Sequence, residues 1–248
     1  MARKAHTDIS RLSRVAQRTV DMNIKQKTER QLAQKKVGRS PFDRELVWES
    51  KRDAVLSVAA SAFNRGGYAN TSMDNVAEAL QITKPTLYRY FKNKQQILFE
   101  LHMHAMNHGE EALRLAHATG STGLEKFLIY CRRYMQGIFG EFGTCPVLVD
   151  VGSLKNPEKD LVIERRAKIS KATVEIIQEG IADGTIGACD AKLATLYTLG
   201  ALNWMPLWYR DDGRKTADEV ADEFLELFER TLTGQASHQR PLAQRQKT

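Results

Sequence analysis

The chain has 248 residues, 42% of them hydrophobic and 27% charged, and a net charge of +7. That composition describes a globular protein with a real core, in one large domain or two modest ones. Three widely spaced cysteines, Cys131, Cys145 and Cys189, offer neither zinc spacing nor a disulfide framework and fit a reducing cytoplasm. The N-terminus lacks the apolar run of a secretory signal. The longest apolar stretch, 193–209, is broken by Thr195, Thr198, Asn203 and Pro206 and falls short of the roughly 20 residues that span a bilayer. A buried helix is expected there, and no membrane.

In chain order, residues 1–44 come first. Twelve Lys/Arg stand there against four acids, a local charge of +8, so the remaining residues sum to −1. Such asymmetry suggests a basic, flexible extension suited to a polyanion such as DNA. A break at 38–41 reads as a linker. From 45 onward the texture is helical, and no run alternates with period two, so no sheet is expected. A first helix is predicted over 45–64, with Val55, Val58, Ala59 and Ala62 at helical spacing and Gly66-Gly67 stopping it. Thr71 and Asp74 fit a capping pattern. Met73, Val76, Ala77 and Leu80 then make one apolar face of a two-turn helix.

A turn at 81–83 leads into Ile82-Thr-Lys-Pro-Thr-Leu-Tyr-Arg-Tyr-Phe91. Pro85 suits a first helical turn, where its missing N–H matters little. Leu87 and Phe91 lie four apart and can pack on the preceding helix, which leaves Lys84, Thr86, Arg89 and Tyr90 outward. Two short helices joined by a tight turn, the second with a polar and basic outer face, describe a helix-turn-helix. Further helices are predicted over 95–117, 122–142, 156–183, 190–210 and 216–233.

Ala59-Ala-Ser-Ala-Phe63, Gly66-Gly-Tyr68, Thr71-Ser-Met-Asp-Asn-Val-Ala77 and the stretch from Ile82 to Phe91, followed by Lys94, resemble the DNA-binding domain of TetR-type transcriptional regulators. The resemblance implies an all-α homodimer. Each chain would have a three-helix DNA-binding domain at 45–94, an effector-binding and dimerisation domain at 95–233 and a polar tail at 234–248. It also implies a cytoplasmic repressor that double-stranded operator DNA binds and a small effector releases. The helices at 190–210 and 216–233 would be the dimerising pair. Leu193, Leu196, Tyr197, Gly200 and Trp204 form one apolar band there, and Leu225, Leu227, Phe228 and Leu232 a second.

For DNA contacts, Lys84, Pro85 and Thr86 are best placed for base edges, since lysine can donate to guanine and apolar groups can touch thymine methyls. Tyr88, Tyr90 and Lys94 resemble the family's phosphate-clamping positions. Thr71 and Ser72 could meet a phosphate at a helix N-terminus. For the effector, Met103, Met106, Phe127, Tyr130, Tyr134, Phe139, Trp204, Met205 and Trp208 suggest an apolar cavity. The segment 200–210, with Asp212-Gly213 after it, is similar to C-terminal segments of TetR-type regulators of lipid and acyl-CoA metabolism. A hydrophobic acid or its CoA thioester is the expected ligand, and no cofactor is expected. Two alternatives remain at this point: a metal held by His104, His108 and Glu111 on one helical face, and a helical interaction module without DNA binding. An enzyme is disfavoured, because no Gly-rich phosphate loop, nucleophile elbow or H-E-x-x-H helix is present.

Overall fold

The computed structural model describes residues 41–140, 151–210 and 212–234. The basic extension up to residue 40, Cys145, the predicted helix end at 142 and the C-terminal tail beyond 234 lie outside them. The chain divides into two compact units, 1–50 and 51–248. The described part of the first is the opening of helix α1 (Pro41–Gly66). That helix starts at the proline rather than at 45. A fixed φ and a missing N–H suit the first helical position, so Pro41 begins the element instead of ending a linker.

Residues of α1, α2 (Met73–Ala79), α3 (Lys84–Tyr88) and the start of α4 (Lys94–Thr119) share one hydrophobic cluster. Leu56, Ala59 and Phe63 of α1 meet Val76 and Ala77 of α2, Leu87 of α3, Phe91 of the next turn, and Ile97 and Leu101 of α4. Gly67 follows α1 at φ 76°, and its N–H closes the helix on the Phe63 carbonyl at 2.9 Å.

The cap of α2 differs from expectation by one residue. Ser72, not Thr71, is the N-cap, accepting from Asn75 N–H at 3.1 Å, while Ser72 N–H donates to Asn75 Oδ1 at 2.9 Å. The Thr71 side chain is buried and donates to the Gly67 carbonyl at 2.9 Å. Between α2 and α3, Gln81 takes φ 55°, and its N–H and that of Ile82 bond back to Glu78 and Ala77. A left-handed residue with a Cβ is strained there.

A second cluster joins α4 to α5 (Gly123–Ile138), α6 (Glu158–Ala182), α7 (Ala191–Trp208) and α8 (Ala217–Thr233). Helix α5 packs against all four of the others. Its first residue touches the end of α6, where a Cβ on Gly123 would lie 2.0 Å from the Gly180 nitrogen. The Asp183 carboxylate accepts from Gly123 N–H at 2.7 Å, satisfying one of the free donors of that helix start. A third, small cluster unites Leu98 of α4 with Leu154 and Val162, and Tyr68 packs on it.

Among the described residues all regular structure is helical, and no helix is long and apolar enough to cross a membrane. Two substitutions should move thermal stability in opposite directions. Gly123→Ala should destabilise by about 1–3 kcal/mol through overpacking. Gln81→Gly should stabilise by about 0.5–1 kcal/mol by relieving the left-handed strain. Reversible thermal or urea denaturation of each variant checks both signs.

Candidate DNA-binding surface and effector cavity

Helix α3 has five residues, too short to stand alone. Leu87 and Phe91, both fully buried, hold it down. Lys84, Pro85 and Tyr88 are exposed, and Thr86 is half-buried with its hydroxyl 2.8 Å from that of Thr83. Tyr90 is half-buried against the cluster beneath. The outer face is therefore a lysine, a proline ring, a threonine and a phenol, side chains able to reach both base edges and phosphates.

Three expected phosphate contacts sit differently. Thr71 faces inward and braces the end of α1. Ser72 is exposed, but its hydroxyl serves the α2 cap. Lys94 reaches back across the motif, its ammonium donating to the carbonyls of Tyr68 at 2.6 Å, Thr71 at 2.8 Å and Ala69 at 3.3 Å. It also lies 4.2 Å from the centre of the Tyr68 ring. The Tyr68 carbonyl also accepts from Thr71 N–H at 3.3 Å, so the ammonium adds to the bonds that hold the turn entering α2. Partial burial lowers its pKa from the ordinary lysine value. Sequence spacing gives its position but not its direction. Asp74, which sequence reasoning treated as a cap, instead pairs with Lys84 across the two short helices.

A cavity of about 550 Å³ opens among α4, α5, α6 and α7. Of the nine residues proposed for it, Met106, Tyr130 and Tyr134 line it. The others lie elsewhere. Phe127 is fully buried, edge-on to Phe228, and Met205 is core. Met103 packs beside Arg165, and Phe139 packs on Tyr209. Trp208 stacks on Phe224, and Trp204 is 61% exposed. Bulk alone could not separate core, surface and cavity in these helices.

The walls are mostly aliphatic, with Leu101, Ile138, Ile169 and Leu199 among them. Polar groups come from His104, His108, Tyr134, Asn203 and Arg166. The Tyr134 hydroxyl donates to Asn203 Oδ1 at 2.6 Å, tying α5 to α7. Arg166 and the amide of Asn203 had no signal in the sequence beyond their place on helices facing the core.

His108 Nε2 lies 2.7 Å from the Arg133 carbonyl, and burial pushes its pKa below the ordinary histidine value. The ring is thus neutral near pH 7, with Nε2 as the donor. Glu111 faces Arg133 instead. Among the described residues no three His, Cys, Asp or Glu side chains are grouped to hold a metal ion, and both His108 and Glu111 are engaged with Arg133.

Helix α7 is apolar on two sides. Leu202 and Met205 face the core, and Thr195 and Thr198 hide their hydroxyls on carbonyls one turn back. Outside, Leu193, Leu196, Tyr197, Trp204, Leu207 and Trp208 are exposed, with Leu227 of α8. Leu225, Phe228 and Leu232 of the second expected band are core. A contiguous greasy face of this kind marks an interaction surface.

A helix-turn-helix with an exposed polar face, carried on a helical domain with an open cavity, defines a ligand-responsive DNA-binding regulator. Residues 55–101 match the family described as bacterial regulatory proteins, tetR family. Residues 120–232 match the tetracyclin repressor-like C-terminal domain. The chain belongs to the TetR family of transcriptional regulators, and it is a DNA-binding protein rather than an enzyme.

It is 25% identical over 182 residues to the HTH-type transcriptional repressor KstR2 of Mycolicibacterium smegmatis, covering 72% of this chain and 88% of that one. The fatty acid metabolism regulator protein of Bacillus subtilis is 23% identical over 181 residues, covering 70% and 91%. The crystal structure of AibR in complex with isovaleryl coenzyme A and operator DNA matches with a TM-score of 0.62 at 25% identity, over 71% of this chain and 96% of that one.

The inward Lys94 generates a test. Lys94→Met should cost about 1–2 kcal/mol of stability, because the Thr71 carbonyl loses the ammonium and that of Tyr68 keeps only its bond from Thr71 N–H. DNA affinity should fall alike for all sequences with the salt slope unchanged. A slope shallower by about 0.9 in fluorescence anisotropy would instead make the lysine a phosphate contact.

Proposed function

We propose that the chain is a homodimeric repressor whose two α3 helices read half-sites about one DNA turn apart. A hydrophobic acid or acyl-CoA in the cavity releases it. Lys84, Pro85 and Thr86 face base edges, and Tyr88 with Tyr90 meets the backbone. The exposed apolar face of α7 and α8 packs on its counterpart in the second copy. In domain terms, 45–94 reads DNA and 95–233 binds effector and dimerises, while 1–44 and 234–248 are appended segments. The protein acts in the cytoplasm, where its operator is, and needs no cofactor.

One observation carries the reading: a single rod, α4, supplies buried residues beneath α3 and a wall of the cavity. A ligand that favours a different placement of α4 thereby lowers DNA affinity, in proportion to its differential binding. Aliphatic walls with one arginine suit an apolar chain with an anionic or carbonyl end. A cavity of this size takes the acyl part, with the coenzyme A portion at the mouth. The relative named as a repressor supports the sign of regulation, and the fatty acid regulator and the AibR complex with isovaleryl coenzyme A support that ligand class.

Fluorescence anisotropy on duplexes from upstream of its own gene, titrated with isovaleryl-CoA and with longer acyl-CoAs, tests the proposal. At least one acyl-CoA should weaken binding by roughly 5–150-fold. Arg166→Met should blunt that response while leaving ligand-free DNA affinity in place. Binding indifferent to every acyl-CoA would remove this ligand class.

A further inference from the structure

The two short helices of the motif are joined at their N-terminal ends by one pair of opposite charges. The carboxylate of Asp74, in the first turn of α2, lies 2.8 Å through Oδ1 and 3.0 Å through Oδ2 from the ammonium of Lys84, which opens α3. Both side chains are more than half exposed, so the core demands neither. The cap of α2 does not need the acid either, since Ser72 and Asn75 supply it. A negative group on a surface that approaches phosphates opposes binding by itself. Its position against the lysine best placed for a base edge gives it a use.

We propose that Asp74 is a specificity-determining residue, which keeps Lys84 paired in sequence-independent complexes and yields it only to a base edge. The inference rests on the DNA-reading role proposed for α3. On a non-specific duplex, a phosphate offered to Lys84 replaces one anion by another. The exchange is nearly even, and Lys84 releases no additional counterion. Where a guanine lies beneath the start of α3, its O6 and N7 acceptors stand in the groove floor and give the ammonium bonds that a phosphate cannot match in position. The carboxylate therefore weakens the wrong complexes more than the right one, and specificity is that difference. The carboxylate also raises the lysine's pKa, chiefly by its hydrogen bond.

The test uses the full chain and fluorescence anisotropy over a range of salt. One probe is a mixed-sequence duplex, and the other is a set of duplexes the protein itself enriches from a random pool. Asp74→Asn should bind the mixed duplex more tightly, with a salt slope steeper by about 0.9, one more phosphate neutralised. The ratio of enriched to mixed affinity should fall roughly 3–10-fold. Asp74→Glu should keep the native slope and ratio. On a Lys84→Met background, Asp74→Asn should not steepen the slope. Asp74→Ser repeats the charge deletion if asparagine is not tolerated.

Equal steepening on both backgrounds would make Asp74 a simple repulsive charge and overturn the proposal. An unchanged slope and ratio in Asp74→Asn would overturn it as well. Failure to bind any duplex would remove the α3 reading and this one together, whereas binding with unaltered slopes removes this one alone.

Discussion

Helix α4 is a wall common to the hydrophobic clusters, and that sharing constrains everything around it. Ile97 and Leu101 close the cluster beneath the DNA-reading helices, Leu98 faces Leu154 and Val162, and Met106 through Ala116 enter the larger core. With 26 residues it is a rod of roughly 39 Å. Packed interiors do not deform continuously, so a rod wedged among them shifts as a body or stays put. Its first turn is gripped on two sides. Lys94 holds the carbonyls that enter α2, and Gln95 Nε2 donates to the Ser153 carbonyl at 2.7 Å. Arg52 of α1 pairs with Glu100 one turn on and lies over the Phe91 ring.

The DNA-facing surface is an economy of short reach. Five residues of α3 have little intrinsic tendency to be helical, and burial of Leu87 and Phe91 supplies what propensity does not. Because the holding contacts are apolar and beneath, the polar groups above stay at the surface. The same logic runs through α7. Its threonines satisfy their hydroxyls locally, so one face can join the core while the opposite face stays apolar for another surface.

Much of this is legible in the residues. Helical periodicity, the glycines after α1, Pro85 in a first turn and the Leu87/Phe91 pair place every described helix within a few residues and anchor the motif. What periodicity cannot give is the direction of a long side chain. Lys94 turns back to carbonyls contributed some 25 positions earlier in the chain, a contact without local signature. Thr71 and Ser72 are adjacent hydroxyls, and only burial of one decides which caps. In the cavity, Phe127, Met205 and Tyr130 sit at similar helical spacings, yet only Tyr130 borders open space. That depends on how four helices meet, a property of the assembly and not of any one segment.

The small cluster of Leu98, Leu154 and Val162 has an engineering consequence. Tyr68 packs on it from the turn before α2, and Val151 packs on it from the segment that precedes α6. Residues more than eighty positions apart therefore form one continuous fitted surface. A chimera that joined the first ninety residues of a relative to the cavity of this chain would set a foreign residue 68 against native 151–154. The transferable reading head is thus discontinuous in the chain. A graft that preserves this packing must carry 151–154 along with α1, α2 and α3.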